Sequence, residues 1–241
     1  MAKSTEVANK AAAADVAIPD YIKQGSSRGN ENVEADDLQL PRLDVLQALS
    51  PQVNKKKESY IEGAEVGMLF NTLTGELYPE GVRITPVSFK KSYLVWVDRK
   101  IDNGGGLRGV FDSEREANEF VASDPDKAKL EVVPTAEHFV LLDDGSEVIL
   151  SMSKSKMKVS RKFNSLVRLS GGDRFSRSYM LTSVEDEGAQ GEYQNINLTQ
   201  DGFPSKEVYL KAEELYNAMA AGEKQKSANY SDVASDDSAE Y

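Results

Sequence analysis

The pattern of apolar and polar positions along the chain is mostly that of β-strands. The densest run of β-branched and aromatic residues is GVRITPVSFKKSYLVWV at positions 81–97, which predicts a long strand. Successive side chains of a strand point to opposite faces, so Phe89, Lys91 and Tyr93 share one face while Trp96 lies on the other. One face of this strand therefore interleaves aromatic rings with a cation.

Two further patterns predict β-hairpins. The runs HFVLL and VIL, between positions 138 and 150, are joined by a turn that contains Asp-Asp-Gly. Positions 67–78 place a Gly-containing turn between the strand-like runs GMLF and ELY. Together with a last strand at 193–198, these short strands predict a mainly β fold of the barrel or sandwich type.

Two helices are expected outside the β pattern. Ser113 and Glu116 match a capping box and begin a short helix, which makes 112–130 a helical insertion. Positions 205–221 repeat apolar residues along one helical face and predict a C-terminal helix. The fold is therefore expected to be mainly β with appended helices.

The stretch 151–179 is basic in a chain whose formal net charge is −11. Helical spacing places most of its cations opposite an apolar face, so the segment can pack on a core and still present charge. Ser151 or Ser153 is the expected N-cap, and Gly171-Gly172 ends the helix. The basic residues of the stretch are Lys154, Lys156, Lys158, Arg161, Lys162, Arg168, Arg174 and Arg177.

The residues after these glycines return to strand alternation. Phe175, Arg177 and Tyr179 then share one face, which predicts a second aromatic–cation–aromatic row beside the first. Unpaired bases stack on aromatic rings, and their phosphates need cations. Two such rows, with the basic helix as a wall, predict a groove for single-stranded nucleic acid.

Both ends of the chain differ in composition from the middle. Residues 1–37 are rich in Ala, Asn, Gly, Ser and acids, which predicts a disordered extension, and the folded domain is expected at 38–222. Residues 223–241 predict a flexible tail whose charges from position 229 onward are all acidic. The acidic and aromatic positions of the tail are Asp232, Asp236, Asp237, Glu240 and Tyr241.

Several kinds of chemistry are disfavoured by the composition. The chain has no cysteine and one histidine, His138, so thiolate chemistry and multi-histidine metal sites are excluded. No phosphate-binding loop motif occurs, and the string GGDRF has Arg174 where a diguanylate cyclase has an acid. No segment approaches the roughly 20 apolar residues of a membrane helix, and no leader pattern is seen, which favours the cytoplasm. No catalytic residue, cofactor or metal is predicted.

The central strings are LPRL at 40–43, NTLTGE at 71–76, FKK at 89–91, EHFVLL at 137–142 and KVSRKFNS at 158–165. With the aromatic–cation faces and the acidic tail that ends in an aromatic, they make residues 38–200 resemble the single-stranded-DNA-binding proteins of tailed bacteriophages. The resemblance implies an OB-like β-barrel and a non-enzymatic role in phage replication or recombination, in the cytoplasm of the infected host. Because much of the negative charge lies in the ends of the chain, we further expect the acidic tail to compete for the DNA groove and, when DNA is bound, to recruit a DNA polymerase or helicase.

Two alternatives remain open. One is a single-strand annealing recombination protein, and the other is a phage regulator that binds RNA polymerase through its basic helix or acidic tail. The predicted nucleic-acid-binding residues are Phe89, Lys90, Lys91, Tyr93, Trp96, Arg99, Arg108, Lys154, Lys158, Arg161, Lys162, Arg174, Phe175, Arg177 and Tyr179.

Overall fold

The computed structural model of the protein describes residues 29, 39, 41–98, 101, 106–188 and 191–221. Within them the fold is mainly β with appended helices, as the sequence predicts. The strands are β1 (Leu43–Val45), β2 (Leu69–Asn71), β3 (Leu77–Tyr78), β4 (Val82–Val97), β5 (Gly106–Phe111), β6 (Leu130–Leu142), β7 (Glu147–Ser153), β8 (Tyr179–Gly188) and β9 (Gly191–Gln200). The helices are α1 (Glu114–Ser123), α2 (Met157–Leu169) and α3 (Lys206–Ala220).

The long strand β4 is the centre of the larger sheet, whose order is β7-β6-β4-β8-β9 with β5 also paired to β4. One edge of β4 pairs with β6 from Ile84 to Val97. The other edge is shared, because residues 82–84 pair with β8 and residues 93–97 pair with β5. All of these pairings are antiparallel.

The smaller sheet has the order β1-β2-β3. Its strand β1 contacts both edge strands of the larger sheet, β7 and β9. At one end of β1, Ile149 N donates to Pro41 O across 2.9 Å. At the other end, Gln47 Nε2 donates to Gln194 O (2.7 Å) and Gln194 N donates to Gln47 Oε1 (2.9 Å). In the described part of the chain β7 and β9 do not pair with each other, so the larger sheet stays open and β1 bridges its edges.

Helices α2 and α3 pack on opposite faces of the larger sheet. They can do so because the side chains of β6 alternate between the two faces and are apolar on both. Val140 and Leu142 face a core that includes Phe163 of α2, whereas Leu141 belongs to a second cluster with α3. Strand β1 completes the first core, to which it contributes Leu43 and Val45. The basic helix is thereby fixed on one face of the sheet.

Several local predictions are confirmed. The β6–β7 and β2–β3 hairpins form as expected. Helix α1 begins after Ser113, whose Oγ accepts a hydrogen bond from Glu116 N (3.3 Å). Helix α3 begins after Ser205, whose Oγ accepts from Val208 N (3.2 Å). The extension at 1–37 and the tail at 223–241 lie outside the described residues, apart from Gly29.

The segment around the basic helix differs from its prediction in two places. Ser151 lies within β7, and Ser153 precedes a 3-10 turn at Lys154–Lys156 without a side-chain cap bond, so neither serine caps α2. A second 3-10 turn, Arg174–Ser176, follows the glycines, and the next strand begins only at Tyr179. Among the described residues, no helix is both long and apolar enough to cross a bilayer.

Candidate nucleic-acid interface

Phe89 lies at the outer end of a stack of rings on the α2 face of β4. It is 40% exposed, although it is an aromatic residue in the central strand. Its ring centroid is 5.0 Å from that of His138, which is directly opposite on β6. His138 is in turn 4.8 Å from Phe163 of α2, and Phe163 is 5.0 Å from Tyr179. The stack therefore runs from the surface into the core and holds the Phe89 ring in place.

Arg174 covers this stack from the turn that follows α2. Its guanidinium carbon is 5.5 Å from the Phe89 centroid and 5.7 Å from the Phe163 centroid, within the range of a cation–π contact. Arg174 Nη2 donates to His138 Nδ1 and to Asn164 Oδ1, each across 2.9 Å. Arg174 is thus a cation that is fixed beside an exposed aromatic ring.

The bond from Arg174 also fixes the tautomer of His138. An arginine can only donate, so His138 Nδ1 must accept, and the ring proton lies on Nε2, which donates to Ser160 Oγ (2.8 Å). Burial, and to a smaller extent the charge of Arg174, lower the pKa of His138 to about 3. Burial also lowers the pKa of Arg174, although an arginine stays charged in proteins. The pair is therefore a neutral imidazole and a cation.

The row on β4 continues from Phe89 to Lys91 and Tyr93. Lys91 Nζ lies 4.8 Å from the centroid of the half-buried Tyr93 ring, and Lys91 itself is exposed. Val95, the next residue on this face, is fully buried and ends the row. The first predicted aromatic–cation–aromatic row is therefore present, with Arg174 added to it. The name Phe89 surface is used below for Phe89, Lys91, Tyr93 and Arg174.

The other face of β4 does not belong to this surface. Lys90 pairs with Asp112 across 3.1 Å, and Trp96 is half-buried in a small cluster with Leu94 and Ile149. The single tryptophan is therefore a packing residue on the opposite face of the sheet from Phe89.

The second predicted row is wrong. Phe175 lies in the 3-10 turn and is 4% exposed, with its ring 5.1 Å from that of Tyr209 on α3. Tyr179 is fully buried, and the guanidinium of Arg177 lies 3.8 Å from the centroid of Phe203. The turn at 174–176 interrupts the alternation on which the prediction depended, so these three residues share no face. Phe175 and Tyr179 are core residues and are not accessible to a base.

The cations of α2 fall on two flanks of the helix. Arg161 and Arg168 are three and four residues from Asn164, which binds Arg174, so they lie on the side of the Phe89 surface. Neither arginine forms an ion pair with a described residue. Lys162 lies on the side of β9, where its Nζ donates to Asn197 Oδ1 (2.8 Å), and Lys158 acts electrostatically on Asp186 of β8.

The remaining predicted residues are scattered. Arg108 is exposed on β5, and Lys154 is exposed in the 3-10 turn before α2, where its φ is 43°. Arg99 and all five named tail residues lie outside the described residues. Across the described ranges, no group of three or more His, Asp or Glu side chains has an arrangement that fits a metal ion.

Four residues of this region were not predicted as site residues. They are His138, Ser160, Asn164 and Arg168. Ser160 and Asn164 are four residues apart on α2, a spacing that places two polar side chains on one helical face, close to the apolar side. That spacing was the sequence signal for Ser160 and Asn164, and the basic helical pattern was the signal for Arg168. His138 gave no such signal, because it lies on a separate strand and its partner Arg174 is brought in by a turn.

A family model described as Pam3 phage gp34-like protein matches residues 8–225. The chain belongs to this family. Membership of the Pam3 phage gp34-like family identifies a phage protein and covers every described element, from β1 to α3. Neither a curated protein nor a solved structure matches the chain.

Proposed function

We propose that this phage protein binds single-stranded DNA at the Phe89 surface and carries out no chemical reaction on it. The observation that carries the proposal is the Phe89 ring, 40% exposed, fixed by His138 on one side and placed beside the charged Arg174. An exposed ring beside a cation fits a nucleotide, which has an aromatic base and an anionic phosphate. Stacking of one base on such a ring contributes about 1–3 kcal/mol.

The arrangement favours single strands for a geometric reason. In a duplex each base is stacked and paired, so a ring fixed in a sheet cannot reach a base face without opening the helix. Every base has the same kind of π-face, and Lys91 and Arg174 read no base edge. The proposed binding is therefore sequence-tolerant and depends on salt.

The overall charge of −11 is compatible with this function, because the acids and the cations are not evenly distributed. We extend the proposal to the acidic tail at 223–241, which is expected to occupy the basic surface when DNA is absent. When DNA displaces it, the tail is free to recruit a DNA polymerase or helicase for phage replication or recombination. Deletion of residues 229–241 should strengthen DNA binding, and unchanged affinity at low salt would count against this competition.

The test is a comparison of single- and double-stranded oligonucleotides of equal length, with affinity measured by fluorescence anisotropy across a salt series. We expect tighter binding of the single strand and a log-linear decrease of its affinity with salt. Equal affinity for both forms would contradict the proposal and favour the RNA-polymerase-binding alternative. Assembly of the protein into rings or filaments on DNA, with faster pairing of complementary strands, would favour the alternative of a single-strand annealing protein.

A further inference from the structure

Helix α2 carries cations on two flanks that have different neighbours. The arginine flank, Arg161 and Arg168, is on the side of the Phe89 surface and forms no ion pair with a described residue. The lysine flank, Lys158 and Lys162, is on the side of β8 and β9, where Lys162 binds Asn197. The two flanks have equal charge, so total charge alone does not distinguish them as DNA contacts.

The strands beside the lysine flank form an acidic ribbon. Strands β8 and β9 stay paired as far as Gly188 and Gly191, well beyond the three residues by which β8 joins β4. The exposed acids near the end of this hairpin are Glu185, Asp186, Glu187 and Glu192. These acids place several negative charges beside the lysine flank of α2, whereas the arginine flank lies on the other side of the helix.

One acid of the ribbon is held in a fixed position. Asp186 Oδ2 accepts hydrogen bonds from Tyr193 Oη and Asn195 Nδ2, each across 3.1 Å, and Asp186 Oδ1 accepts one from Glu187 N (3.0 Å). The hydrogen bonds from Asn195, Tyr193 and the Glu187 amide, and to a smaller extent the charge of Lys158, keep the pKa of Asp186 below its usual value. The carboxylate is thus ionised at neutral pH and cannot move away from an approaching phosphate without losing these bonds.

The acids of the β8–β9 ribbon repel the phosphates of a nucleic acid, but only over a short distance. Charges in water are screened over about 8–10 Å at physiological salt, so the ribbon acts on its own side of α2 more than on the far side. The position at which an anionic ligand binds is determined by repulsion from the wrong position as well as by attraction to the right one. The ribbon therefore opposes phosphates on the lysine flank and leaves the arginine flank open.

We propose that a bound single strand extends from the Phe89 surface along the arginine flank of α2, and that the β8–β9 ribbon keeps it off the lysine flank. This inference rests on the proposed function. It removes Lys158 and Lys162 from the contacts that the sequence predicts, keeps Arg161 and adds Arg168.

The test compares two double variants, Arg161→Gln with Arg168→Gln and Lys158→Gln with Lys162→Gln. Each removes two positive charges from the same helix, so both change the net charge equally. A phosphate contact on a single strand adds about 0.7 to the slope of log affinity against log salt. We expect the arginine variant to lose about 1.4 of that slope and roughly 25-fold in affinity at 0.1 M salt. The lysine variant should keep the wild-type slope.

Equal losses in the two variants, or a larger loss in the lysine variant, would overturn the inference while the proposed function stands. If the wild type itself does not bind single strands, the proposed function fails and the inference fails with it. Thermal unfolding of both variants checks that each is folded. The variant with Arg161→Lys and Arg168→Lys keeps the charge, and its slope should match that of the wild type.

Discussion

Arg174 Nη2 donates a hydrogen bond of 2.9 Å to Nδ1 of His138, a histidine with no exposed surface. This bond joins the turn after α2 to the middle of β6 and fixes both the cation and the imidazole beside Phe89. Because an arginine cannot accept, the bond exists only while His138 is neutral. The surface that we propose for DNA therefore depends on the protonation state of a residue beneath it.

His138 should remain neutral throughout the ordinary pH range. It is the one histidine in the sequence, so its ring resonances in an NMR spectrum need no further assignment. With a pKa of about 3, we expect the Nε2–H tautomer and no titration between pH 8 and pH 4. A midpoint near the ordinary value of 6.5 would show that the ring is not held by Arg174 in this way.

Folding stability should decrease as the pH falls from about 6.5 towards 3. The folded-state pKa of His138 lies below its unfolded value, so the unfolded chain binds the proton first and acid favours unfolding. Relative to a His138→Gln variant, the wild type should lose about 2 kcal/mol more between pH 7 and pH 5, because 1.4 kcal/mol corresponds to one pKa unit. Urea unfolding at the two pH values measures this difference, and parallel losses in the two proteins would contradict it.

Phe175 should matter for stability and not for DNA. Its ring is buried against Tyr209 of α3, so Phe175→Leu removes core contacts and should destabilise the protein by about 1–3 kcal/mol. Because the ring does not reach the surface, single-strand affinity of the folded variant should stay within twofold of the wild type. A large loss of affinity without loss of stability would contradict this prediction and show that Phe175 contributes to DNA binding.

Much of the fold could be predicted because its signals are local. The Asp-Gly turn between β6 and β7, the capping box of α1 and the apolar face of α3 each lie within about fifteen consecutive residues. The alternation of Phe89, Lys91 and Tyr93 was also readable, since β4 is continuous there. The extent of β8 was not, because the turn at Arg174–Ser176 has no repeating pattern that distinguishes it from a strand.

The candidate site was predicted only in part because burial is decided by distant segments. Phe89 and Phe175 are both aromatic neighbours of cations in the sequence, yet α3 covers Phe175 and no helix covers Phe89 to the same extent. The role of Lys162 likewise depends on Asn197, which is 35 residues away. Composition therefore predicts a type of ligand, whereas tertiary packing determines which of the predicted side chains are exposed.

The central claim is that the exposed Phe89 ring stacks on a base, and Phe89→Leu tests it most directly. The matched control is Tyr216→Leu, which removes a ring of similar exposure, 46% against 40%, from α3 on the opposite face of the larger sheet. In a single-strand binding titration we expect Phe89→Leu to lose about 1–3 kcal/mol, roughly 5–150-fold, and the control to bind as the wild type does. Wild-type affinity in Phe89→Leu, or an equal loss in both variants, would contradict the account.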